Sequence, residues 1–173
     1  MAAISVTLQD GETKSFPSGT TVADILKDMV SGKQRKQTVA VKAGGALIDL
    51  STPVASDLTL EPISVFSEEG VEILRHSTAH IMAMAVKELF GEQVKVAIGP
   101  AIDDGFYYDF DREKPFSPDD FELIEKKMAE LAEARLPFVR QELPKAEAIR
   151  FFEQLGEPYK IELLNEMDAE TVS

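Results

Sequence analysis

Cysteine is absent from this 173-residue sequence, and histidine occurs only twice. Without cysteine there is no disulfide framework, no thiolate nucleophile and no thiolate metal ligand. No apolar run approaches the length of a membrane span, and the Met1-Ala2-Ala3-Ile4-Ser5 start lacks the basic and apolar regions of a signal peptide. A cytoplasmic chain with no membrane partner is the expectation. Basic charge is scarce as well: 18 Lys and Arg stand against 31 Asp and Glu, a net charge of −13. An acidic body repels phosphates, so nucleic acid is bound weakly unless a local basic surface does the work.

What is present is enough apolar material for a core, 44% of residues, in a length that fits one ordinary domain or two small ones. The acidity is uneven. Residues 1–66 carry six basic and seven acidic side chains, and residues 67–173 carry twelve and twenty-four. The best basic cluster is Lys33, Arg35 and Lys36, with Lys42 nearby. It reads either as a phosphate-facing surface or as an ordinary solvated loop.

Ile4-Ser5-Val6-Thr7-Leu8 alternates apolar and polar residues, meets Asp10-Gly11, and resumes from Thr13 to Phe16, which predicts a β-hairpin. Thr21 with Asp24 three residues on predicts a capped helix with Val22, Ile25, Leu26 and Met29 inward, ending near Gly32. Val39 to Val41, a Gly44-Gly45 turn and Ala46 to Leu50 form a second hairpin, and Leu58 to Leu60 one more strand. Turn and cap chemistry account for Gly11 and Asp24 without any catalytic role. The segment has no histidine and no phosphate-cradling glycine loop, and reads as a binding module. Its size and element order resemble TGS, the small ubiquitin-like β-grasp module.

Ser67-Glu68-Glu69-Gly70 is a polar joint that also supplies acids for the positive end of a following helix. The boundary is placed there, giving domains 1–66 and 67–173. Val71, Leu74, Ile81, Ala85 and Leu89 continue a helical stripe to Phe90, with Gly91 as its stop. A strand from Val94 to Ile98, a turn at Asp103-Asp104-Gly105 and a strand from Phe106 to Phe110 predict a β-pair. Ser117-Pro118-Asp119-Asp120 opens another helix, with Phe121, Ile124, Met128 and Leu131 inward and Pro137 as its end. A strand over Phe138–Glu142, a helix over Lys145–Leu155 and a strand or helix start over Tyr159–Leu164 follow. Residues 165–173 show no apolar pattern, and the sequence leaves open whether they are ordered or fray.

The two histidines, His76 and His80, stand four residues apart on the first of these helices, so both imidazoles leave one face. A zinc protease needs Glu inside the motif as general base, and Ser77 and Thr78 occupy that interior. A closed zinc site needs four ligands, and only carboxylates remain to complete one. Metal binding is therefore not expected, with weak coordination by His76 and His80 the one way it arises. Two neutral imidazoles can orient a water, take its proton or hydrogen-bond a hydroxyl. They can equally be a cap and a satisfied core residue.

Four segments in order lift the pair out of that ambiguity: His76-Ser77-Thr78-Ala79-His80, Ala97-Ile98-Gly99-Pro100, Asp104-Gly105-Phe106-Tyr107-Tyr108-Asp109 and Glu157-Pro158-Tyr159-Lys160. Behind a TGS-like module, they resemble the editing domain of bacterial-type threonyl-tRNA synthetases. The resemblance implies an α+β chain, a β-grasp followed by part of an editing domain, from the N-terminal quarter of a longer enzyme. That enzyme charges threonine onto tRNA(Thr) with ATP, and its catalytic domain, beyond these residues, carries zinc and the homodimer contact. The segment itself needs no cofactor; its partner is the acceptor end of tRNA(Thr).

Carried over by motif, His76 and His80 position the hydrolytic water or the terminal ribose. Lys160 holds the water or steadies the oxyanion, and Tyr108 and Gly99 line the pocket. The family completes its pocket with a later C-x-x-x-H segment, which this sequence does not reach. The resemblance thus implies half a site and a poor or inactive deacylase in isolation. The other readings are a TGS-containing adaptor for RNA or protein and a freestanding editing hydrolase; the lack of cysteine speaks against the latter.

Overall fold

The structure, a computed structural model, describes every residue except Met1, Ile98, Pro100, Asp103, Pro137, Phe138, Arg140 and Ser173, and leaves out the side chains of Glu92 and Ala101. It gathers into two compact units, Met1–Leu74 and Arg75–Ser173. The division therefore falls inside a helix, past the Ser67–Gly70 joint.

In the first unit, strands β1 (Ala3–Leu8) and β2 (Thr13–Pro17) form the expected hairpin, with Ile4 opposite Phe16. Gly11 turns it at φ +91°, a conformation open to glycine because it has no Cβ. Strand β3 (Thr20–Thr21) runs into helix α1 (Val22–Met29), whose cap is Thr21: its hydroxyl oxygen accepts from the Asp24 amide and its proton goes to the Asp24 carboxylate.

The helix stops at Met29 rather than near Gly32. Val30 is extended, and Ser31 caps a second helix, α2 (Gly32–Gln37), by accepting from the Gln34 amide. A second strong N-cap residue so soon after the first restarts the chain. Lys33, Arg35 and Lys36 accordingly sit on a short helix, not on a loop. Lys42, their expected neighbour, is engaged by Glu69 at 2.7 Å.

Strand β4 (Thr38–Ala43) pairs with β5 (Ala46–Ile48), and β6 (Pro53–Val54) pairs with β3. With β7 (Leu58–Ser64) the sheet order is β2-β1-β7-β4-β5, β1 and β7 running parallel at its centre. Helix α1 packs on one face, and this is a ubiquitin-like β-grasp. Its core holds Val6, Val22, Ile25, Leu26, Val41 and Leu60, all essentially without solvent contact. Each such side chain contributes about 1.5–3 kcal/mol through burial.

Helix α3 (Glu68–Phe90) passes from the first unit into the second, with Glu68 and Glu69 in its first turn. Gly91, at φ +61°, ends it in a 3-10 turn. Within the second unit Ala79, Ala83, Ala85 and Val86 are its buried residues, whereas Leu89 of the expected stripe is exposed. Small side chains let neighbouring elements approach the helix closely.

The predicted β-pair is present as one hairpin in two pieces. Strand β8 (Val94–Val96) pairs with β11 (Phe110–Arg112), and β9 (Ala101–Ile102) with β10 (Gly105–Phe106). Phe110 stands opposite Val96 in the first piece and Phe106 opposite Ala101 in the second, so the two registers differ by one residue. One extra residue shifts the register as a bulge does. Tyr107–Asp109, expected in strand, are irregular for that reason. The expected course of the first arm through Ile98 and Pro100, and the turn residue Asp103, lie outside the described residues.

Helix α4 (Pro118–Ala134) starts with a full Ser117–Asp120 capping box. It ends at Arg135 in the left-handed region, before Pro137, which is not among the described residues. Ile124 and Leu131 are buried, while Phe121 of the expected stripe is 53% exposed. With Ala85, Val86 and Val94 they form the second core, ringed by Ile81, Met82, Phe90, Phe110, Phe116 and Met128.

Of the strand expected over 138–142, Phe138 and Arg140 lie outside the described residues and Val139, Gln141 and Glu142 are not in strand. Strand β12 (Leu143–Pro144) comes just after, then helix α5 (Lys145–Gln154). The segment left open as strand or helix is helix α6 (Pro158–Glu166), begun by a proline whose missing N–H costs nothing there. The tail whose order the sequence left open returns as β13 (Thr171–Val172), Val172 opposite Leu143. Lys145 Nζ donates to the Met167 carbonyl at 2.7 Å on the way.

Candidate functional site

Helix α3 brings His76 and His80 together as their spacing requires. Their Nε2 atoms are 3.0 Å apart, and the rings meet edge to face with centroids separated by 4.6 Å. A hydrogen bond between two ring nitrogens needs one donor and one acceptor, so at least one imidazole of the pair is neutral. Both remain open to solvent on one side. Burial, reinforced by His76 and by Lys160, pulls the His80 pKa below its ordinary value. Neutral His80 is thus a proton acceptor at pH 7.

Helix α6 brings Lys160 to the same neighbourhood. Its half-buried Nζ donates to the Ala97 carbonyl at 2.8 Å and stands 5.9 Å from the centre of the Tyr108 ring. Burial lowers its pKa, and the nearby Glu157 carboxylate opposes that shift. Lys160 is therefore not the solvated strand-start lysine that sequence alone allowed.

Tyr108 and Gly99 are a matched pair. The Tyr108 ring lies so close over Gly99 that a Cβ at position 99 would run into the ring atoms Cγ, Cδ2 and Cε2. Gly99 is needed for close approach, not for a left-handed backbone. Tyr108 also stacks on Phe110, with centroids 5.2 Å apart. Its hydroxyl pKa is raised by burial and then by Glu157. Tyr107, beside it, is 49% exposed, which leaves Tyr108 as the inward member of the two. Tyr108 further lines an apolar cavity of about 440 Å³ together with Met82, Val86, Phe106 and Phe116.

Two further residues escaped the sequence reading. Glu157 is 8% exposed and accepts from Lys87 Nζ at 2.7 Å and from the Val96 amide at 3.4 Å. Lys87 Nζ also donates to the Val94 carbonyl at 3.3 Å. Glu157 stood within a quoted motif, but its partner is 70 positions away and nothing local signals the pairing. A third tie joins the same helix to the hairpin: the Tyr159 hydroxyl donates to Asp111 at 2.9 Å.

Among the described residues no group of three or more His, Cys, Asp and Glu side chains is arranged to hold a metal ion, and no helix is long and apolar enough to cross a membrane. What the five expected residues present is a neutral base with its hydrogen-bonded partner, a desolvated ammonium and an aromatic wall. That set can accept a proton from water and stabilise negative charge on oxygen.

No protein-family model matches the chain. Among curated proteins it is similar to the threonine–tRNA ligase of Nitratidesulfovibrio vulgaris (strain DP4), with 47% identity over 165 residues, covering 95% of this chain and 26% of that protein. The threonine–tRNA ligase of Syntrophotalea carbinolica is 48% identical over 174 residues, covering 100% and 27%. That of Desulfovibrio desulfuricans is 50% identical over 168 residues, covering 95% and 26%. The chain spans about a quarter of the length of the curated relatives it matches.

Proposed function

We propose, from the premise that this chain is homologous along its whole length to the N-terminal quarter of threonine–tRNA ligases, that its second unit carries one wall of a proofreading site. The reaction is hydrolysis of serine wrongly esterified to the tRNA for threonine. The single observation that carries this reading is the contact between His76 and His80, electrostatically coupled to a half-buried Lys160. Serine lacks only a methyl of threonine, worth about 1–3 kcal/mol in a pocket and too little for faithful translation. A second site that admits serine and excludes threonine supplies the rest.

In the proposed step a water oxygen attacks the ester carbonyl carbon while neutral His80 takes the water proton. His76 orients His80 through the Nε2 contact, and the Lys160 ammonium faces the oxyanion that forms. Collapse of the tetrahedral intermediate breaks the bond to the ribose oxygen, and the proton on the imidazole returns to that oxygen as it leaves. Tyr108 over Gly99 shapes the wall against which the amino-acid side chain rests.

In the same reading residues 1–66 are a TGS binding module and 67–173 the first part of an editing domain. The whole protein charges threonine onto tRNA(Thr) with ATP in the cytoplasm, and its catalytic domain supplies zinc and the homodimer contact. The family's C-x-x-x-H half is not met within these cysteine-free residues, so the 173 residues by themselves are a poor deacylase. Binding is tested with adenosine carrying serine on the 3′ carbon through a stable amide. Titrating it should move the NMR signals of His76, His80 and Tyr108 saturably, and the threonine amide should move them less. Equal response to both amides, or none to either, defeats the reading.

A further inference from the structure

Lys160 is the cation of the proposed site, and what holds it there is a carboxylate one turn earlier in sequence. We infer that Glu157 is a positioning residue for Lys160, fixing the start of α6 against α3 and β8 and keeping the lysine charged where it lies half-buried. The inference rests on the editing reading for its purpose, but its geometry stands apart from it.

Glu157 has both oxygens committed. One accepts from Lys87 on α3 at 2.7 Å and the other from the Val96 amide at the end of β8 at 3.4 Å. Lys87 is itself tied to the β8 carbonyl of Val94. Three elements therefore meet at one buried carboxylate. From that anchor α6 starts, and within its first turn Lys160 reaches the Ala97 carbonyl, one residue beyond β8. The far end of the same short helix is held separately, by Lys145 Nζ donating to the Asn165 and Met167 carbonyls, so Glu157 is the anchor that lies a single turn from Lys160.

Charge runs along the same path as geometry. A half-buried ammonium loses hydration and tends to shed its proton, and Glu157 supplies the negative charge that counters this. Among the described residues the groups facing Lys160 are the Ala97 carbonyl, Glu157, the Tyr108 ring and, through space, His80. Lys87 faces Glu157 from the other side and shares its charge. A buried carboxylate that has lost one partner is costly, which ties the two lysines into one unit.

The test follows the Lys160 side chain by NMR in the 173-residue chain labelled with ¹⁵N-lysine, with its signal identified by Lys160→Arg. Glu157→Gln keeps the shape and removes the charge, leaving Lys87 uncompensated; the Lys160 titration midpoint should move further down. Lys87→Met leaves the carboxylate unshared, and the midpoint should move up. A residue that merely props up the fold gives a different pattern: either variant then loosens the site and returns Lys160 upward toward a free lysine. An unchanged or raised midpoint in Glu157→Gln overturns the inference, as does a lowered one in Lys87→Met. Should Glu157→Gln fail to fold, Glu157→Asp, which keeps the charge and draws it back by one methylene, takes its place: a lowered Lys160 midpoint supports the inference, and an unchanged or raised one overturns it. No tRNA enters the measurement, so failure of the seryl-amide binding test and failure here are separate results.

Discussion

His76 Nε2 and His80 Nε2 stand 3.0 Å apart on successive turns of one helix, sharing one proton between them. A second proton would place two cations in contact in a partly desolvated place. Burial, with this repulsion added, should hold His80 below its ordinary value of 6.5. His76→Ala should raise that midpoint without restoring it fully, since burial is the larger cause. The sign for stability follows. Below pH 6.5 the unfolded chain takes up a proton that folded His80 resists, so stability falls as pH drops and stops falling once folded His80 has protonated. Histidine NMR titration and urea unfolding across that range check both statements.

Lys160 acts on His80 from a different helix. Its positive charge is one of the causes that depress the His80 pKa, so Lys160→Met should raise the His80 midpoint. An unchanged midpoint would mean that α3 and α6 do not present these groups to one another.

Gly99→Ala should disturb the site without a backbone conflict. Its Cβ would occupy the space of the Tyr108 ring, and relieving such overpacking costs about 1–3 kcal/mol. Displacing Tyr108 should also loosen its stacking on Phe110 and weaken binding of the seryl amide. Thermal unfolding and the Tyr108 ring signals report the two effects.

Leu26→Ala should destabilise the β-grasp by about 2–5 kcal/mol, because Leu26 is 1% exposed at the centre of the first core. The His80 signal belongs to the second unit and should keep its midpoint as long as that unit stays folded. Paired unfolding and NMR measurements separate the responses.

Most of the first unit was legible because its signals are local: Asp10-Gly11 and Gly44-Gly45 mark turns, and Thr21 marks a helix start. Helix α2 escaped because six residues with no buried side chain leave no periodic stripe, and only the Ser31 cap betrays it. The ends of β12 and β13 escaped because two-residue pairings carry almost no pattern. In the site, the histidine spacing alone implied a shared face, whereas the closeness of Tyr108 to Gly99 came with a one-residue bulge that no propensity encodes. Glu157 was hidden for a physical reason too. A glutamate before proline at a helix start is ordinary, and its meaning lies in Lys87, brought to it by tertiary packing.

The central claim is that this helix face edits. A threonine–tRNA ligase bearing these 173 residues at its N-terminus, with His76 and His80 both changed to alanine, should hydrolyse seryl-tRNA(Thr) some 10²–10⁴-fold more slowly in single turnover, while charging threonine at an unaltered rate. Seryl ester hydrolysis that persists at the parent rate in that variant would contradict the account.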